Sequence, residues 1–140
     1  MYSNNREAYR QLFYLAWQKY QKSLPLDATE KQLVEVILLH PEYHALLNLL
    51  NNEKDFSTEF DLEENPFLHM SLHIALREQI KLDRPVGVKR IYERLLATHQ
   101  NAHDTEHVMV GCLAKILWTA QSTGVVPDEA EYLVKLGQLT

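Results

Sequence analysis

Seven histidines fall in this 140-residue chain, and four pairs of them, His40/His44, His69/His73, His99/His103 and His103/His107, are four residues apart. Chance placement would give about 0.3 such pairs, counting matches to the spacing. On a helix this spacing brings both rings to one face, a little over one turn apart, so a pair can serve one metal ion or two adjacent ions. Imidazole nitrogen and carboxylate oxygen suit zinc, iron(II) or manganese, provided that several helices bring their ligands to one point. The number of nitrogens favours zinc or non-haem iron over magnesium and calcium, whose shells are built of oxygen.

The faces on which these residues fall narrow the set. His69 and His73 share a stripe with Leu76 and Ile80, which implies burial, while Arg77 and Lys81 read as an offset, solvent-facing line. Glu106 lies with Met109, Val110, Leu113 and Leu117 on an apolar face, flanked by His103 and His107. A carboxylate there must be protonated, paired with a cation or bound to a metal, because burying it alone costs several kcal/mol. His103-x-x-Glu106 mirrors the Glu-x-x-His pattern by which di-iron bundles present two ligands from one helix. His40 and His44 bracket Pro41, at an expected helix break. The candidate metal ligands are therefore His69, His73, His103, Glu106 and His107, with His40 or His44 completing the shell. His99, near a helix C-terminus, stays outside the set.

Blander readings compete at each position. Buried histidines can be satisfied by hydrogen bonds, Glu106 can be a favourable charge near a helix N-terminus, and His40 and His44 can be polar residues of a chain break. Ser71 lies between two histidines without the strand-turn-helix elbow of a hydrolase, and Cys112 sits among apolar residues as a core thiol. Trp17 and Trp118 read as core aromatics, since no basic residues interleave with them. Two functions follow: a metal-binding helical protein with metal-centred chemistry in reach, or a noncatalytic interaction or regulatory module whose histidines form a buried hydrogen-bond network.

Composition excludes other classes. With 14 Lys+Arg against 19 Asp+Glu the net charge is -5, so the basic footprint of a nucleic-acid binder is missing. Apolar residues at 46% and charged residues at 24% are those of a globular chain, expected to form a single helical domain over residues 1–140. A lone cysteine and an N-terminus without an apolar core predict a reducing, cytoplasmic setting, and no stretch has the length of a membrane span. The partner expected is a divalent metal ion, with a homo-oligomer left open; neither nucleic acid nor membrane is among the partners.

Apolar residues recur at three- and four-residue steps and strand-like alternation is missing, so the fold class expected is all-α: a bundle of four longer helices with one or two shorter flanking helices. The first helix is predicted over about 5–22, with Tyr9, Leu12, Phe13, Ala16, Trp17 and Tyr20 as its stripe. Asp27 or Thr29 caps a second, which breaks near His40 and continues over 42–50. Residues 51–64 form an acidic, solvated loop, in which the missing glycine argues against an EF-hand. Asn65-Pro66 opens a helix to about Leu82, Asp83-Arg84-Pro85 repeats the device more loosely, Asn101 or Asp104 starts a long helix ended by Gly124, and Pro127-Asp128-Glu129 opens a short closing one.

The run from Asn65 to Gln79, His40-Pro41-Glu42-Tyr43-His44, Asp83-Arg84-Pro85, Glu106-His107 and Pro127-Asp128-Glu129-Ala130 resemble a bacterial family catalogued as domain of unknown function 1841, over nearly the whole chain. The resemblance implies a small cytoplasmic, proteobacterial protein. It carries no activity and no site residue with it, so the metal reading rests on spacing and faces.

Overall fold

The computed structural model describes residues 6–49 and 65–140; the acidic stretch 51–64, with the expected solvated loop, lies outside the described residues. The fold is all-α. Its helices are α1 (Arg6–Gln21), α2 (Ala28–Leu38), α3 (His44–Leu49), α4 (Pro66–Leu82), α5 (Val88–His99), α6 (Ala102–Thr123) and α7 (Glu129–Gly137), with a 3₁₀ turn at Pro41–Tyr43 and no strand among the described residues. No described helix is long and apolar enough to cross a membrane.

The helix ends follow local chemistry. Asp27 accepts from the Glu30 amide at 2.7 Å while Glu30 accepts from the Asp27 amide at 2.9 Å, a reciprocal capping box that starts α2. Asn65 accepts from the amides of Phe67 and Leu68 ahead of Pro66, and Asn101 and Asp128 cap α6 and α7 in the same manner. Gly124 closes α6 at φ 71°, where a side chain would be strained. The start of α5 departs from the expected Asn-Pro device. Asp83 accepts from the amides of Gly87 and Lys89, so the helix begins at Val88, after Pro85 has turned the chain.

The chain divides into two compact units, residues 1–71 and 72–140, and the division falls inside α4, an unbroken helix. In the first unit α1 packs on α2, burying Phe13, Ala16, Trp17, Val34, Val36 and Ile37. Phe67 joins them edge-on to Phe13, with the Arg10 guanidinium 5.1 Å above its ring. Leu12 and Tyr20, expected within the α1 stripe, lie at its exposed margins. In the second unit α5, α6 and α7 are in mutual contact around Leu95, Met109, Val110, Leu113 and Leu136. Tyr132 from α7 is buried there and donates to Gln79 at 2.8 Å. Trp118, expected in a core, is instead 57% exposed. It follows the buried Ile116 by two residues, about 200° of helical turn, and so emerges on the opposite side.

Candidate metal centre

His40 ends α2's run into the 3₁₀ turn, with its ring fully buried. Its Nδ1 lies 2.8 Å from the Val36 carbonyl, and since a carbonyl only accepts, Nδ1 carries the hydrogen and the neutral ring keeps its lone pair on Nε2. That Nε2 lies 3.2 Å from Nε2 of His69, on the first half of α4, with the two rings nearly perpendicular. Tyr43 stacks on His40 at 5.4 Å and meets His69 edge-on. Burial, with the charge of Glu42 second, pushes the Tyr43 hydroxyl above the usual tyrosine range. His44 turns elsewhere: its Nε2 donates to the Ile37 carbonyl at 2.7 Å and its ring lies 4.5 Å from that of Trp17. The reason is the 3₁₀ turn between them. Four residues advance an α-helix by about 40° beyond a full turn but a 3₁₀ helix by about 120°, so His40 and His44 do not share a face.

In the second unit, the buried ring of His73 sits on α4 with Nδ1 3.1 Å from Glu106 Oε1. Arg77 grips the same carboxylate at both oxygens, Nε to Oε1 at 2.9 Å and Nη2 to Oε2 at 3.2 Å. Of the three fates open to a buried carboxylate, Glu106 takes cation pairing. Burial pushes its pKa up, but hydrogen bonds from His73 and Arg77 and the Arg77 charge outweigh that and hold it below the usual glutamate range. Arg77 thus does not line a solvent edge as its grouping with Lys81 suggested. It follows His73 by four residues, one turn along the same line, and its long side chain reaches the carboxylate that His73 also uses. The signal for this was the His73/Arg77 spacing itself. Tyr92, on α5, was not foreseen either: its hydroxyl is pushed up by burial first and by the Glu106 charge second.

His103 and His107, on the first turns of α6, complete the aromatic surroundings of His73. His103 lies parallel to His73 at 5.6 Å, while His107 meets His73 at 4.8 Å and His103 at 4.1 Å. Ring nitrogens of His40, His69, His73 and His107 lie within 4.8 Å of one another. This clustering is compatible with metal binding, and it is the one such group among the described residues. His44, His103 and Glu106 are not members of it.

The orientation of two of these rings is chemically pointed. Histidines that ligate metals usually donate their second ring nitrogen to a carbonyl or carboxylate, which fixes the tautomer and makes the other nitrogen a better donor of electrons. His40 does this through Val36 and His73 through Glu106.

The family described as "Domain of unknown function (DUF1841)" matches residues 5–138. No curated protein and no solved structure matches the chain.

Proposed function

The chain belongs to the DUF1841 family, and we propose that it is a metal-binding helical protein holding a divalent ion, zinc or non-haem iron, on the histidine face of α4. The observation that supports this most is the convergence of His40, His69, His73 and His107, with two of the four rings already held through Nδ1. In this reading those four supply nitrogen, while Val36 and Glu106 fix the rings behind it. Arg77 keeps the Glu106 carboxylate ionised and placed. His103, stacked parallel to His73, backs that ring from its face.

The second reading, a metal-free histidine network, has its own support in the His40–Val36, His44–Ile37 and His69–His40 contacts. One measurement separates them. Untagged protein is assayed for metal content and then melted with and without zinc or iron(II) at neutral pH. A ligand at a hundred times its Kd stabilises by about 2.7 kcal/mol, a rise in Tm of roughly 5–10 °C for a chain of this size. The rise should shrink below about pH 6, where protons compete for imidazole nitrogen. Metal-free protein whose melting no first-row divalent ion alters would establish the network instead.

A further inference from the structure

The cluster has a composition that bears on which ion it would take and how many. All four members offer imidazole nitrogen, and neither a thiolate nor a carboxylate is among them. The carboxylate that a member of the group touches, Glu106, has Arg77 on both its oxygens and His73 on one. A carboxylate so engaged is placed to orient His73, and taking it as a ligand would mean giving up the charged hydrogen bonds that offset its burial.

Distance points the same way. Zinc–nitrogen bonds of 2.0–2.1 Å in a tetrahedron put neighbouring nitrogens about 3.3–3.4 Å apart. The His40 and His69 Nε2 atoms are already 3.2 Å apart, and the remaining nitrogens need only close from within 4.8 Å. A carboxylate-bridged pair of ions, as in di-iron bundles, needs carboxylates between the metals, and this group offers only four nitrogens, one per residue.

We infer that His40, His69, His73 and His107 form a mononuclear, all-imidazole shell for one late first-row divalent cation, with Glu106 outside the shell as the positioning residue for His73. This rests on the metal-binding reading above. A neutral four-nitrogen shell leaves both charges of the ion uncompensated, which handicaps manganese and iron(II) relative to cobalt, nickel, copper and zinc. Four protein ligands also fill a tetrahedron, the arrangement of sites that hold an ion; sites that turn over a substrate keep a position open.

The test uses the full chain, untagged and freed of metal, titrated with cobalt(II) alone and then with zinc. The expected result is one cobalt per chain with the intense visible bands of tetrahedral coordination, displaced by one equivalent of zinc. His107→Ala, at a half-buried ring, should abolish those bands while circular dichroism stays helical. Glu106→Gln should still bind one cobalt with unchanged band positions, about 10- to 100-fold more weakly, the usual loss for a group behind a ligand. Two ions per chain, weak octahedral bands, or altered bands in Glu106→Gln would each overturn the inference and leave metal binding standing. Failure of the unmodified chain to take either cobalt or zinc would overturn both.

Discussion

His40 and His73 are both fully buried and both held through Nδ1, but by different means. His40 leans on a backbone carbonyl, whereas His73 leans on a carboxylate that is itself clamped by an arginine. The first anchor carries no charge, and no side-chain substitution at Val36 can remove it. The second is a charge buried at a cost, which makes it stronger, sensitive to acid and open to mutation. The comparison teaches that one ring is aimed by the course of the chain and the other by a side-chain network. Only the second should respond to changes in ionisation.

The largest expected effect comes from breaking the network. Glu106→Ala strips the carboxylate from both His73 and Arg77; with Arg77 about a third exposed, the loss should sit near the lower end of the range for broken buried pairs, about 3 kcal/mol. Urea unfolding of the metal-free protein measures it, and a loss under about 1 kcal/mol would place the carboxylate among ordinary surface pairs.

Next comes acid. Burial raises the Glu106 pKa, yet the bonds from His73 and Arg77 win, so its folded pKa lies below the unfolded one. The stability it contributes is therefore fully present above the ordinary glutamate value of about 4.3 and is lost as pH falls through the depressed folded value. Metal-free Glu106→Gln should accordingly lose less stability than the native chain between pH 5 and pH 3. Parallel curves for the two proteins would remove the carboxylate from the comparison.

The smallest effect belongs to the other style of anchor. His44 also donates to a carbonyl, that of Ile37, but it is not in the nitrogen cluster. His44→Ala should cost about 1 kcal/mol, the net worth of one hydrogen bond, and leave cobalt or zinc uptake unchanged. Weakened uptake would bring His44 back among the ligands.

Which of these relations could be read from the sequence depended on whether they lie within one helix. Asn65-Pro66, Gly124 and the Pro127-Asp128-Glu129 run marked helix ends, and of the pairs Asp27/Thr29 and Asn101/Asp104 the first member is the cap, because a cap is decided by residues within a turn of one another. The four-residue rule likewise placed His69 with His73, on one unbroken helix. It failed for His40 and His44, where the 3₁₀ turn changes the angle per residue. Glu106 was recognised as buried and in need of a partner, but that partner, Arg77, is 29 residues away on another helix. No local pattern ranks one distant cation above another. The separation of His107 from His103 is of the same kind, since both leave one face of α6 and only side-chain placement against α4 distinguishes them.

Pro41 gives the His40–His44 segment a second meaning. In an uninterrupted α-helix the Ile37 carbonyl would receive the amide of residue 41, but proline has none to give. The His40 amide and the His44 ring both turn to that oxygen, while the His40 ring serves Val36. Two imidazoles thus act as plugs for the open end of α2, replacing donors that the proline and the tightened turn withdrew. A segment of this kind is punctuation as well as chemistry: stripped of any ion, both rings would still donate to the last carbonyls of a helix.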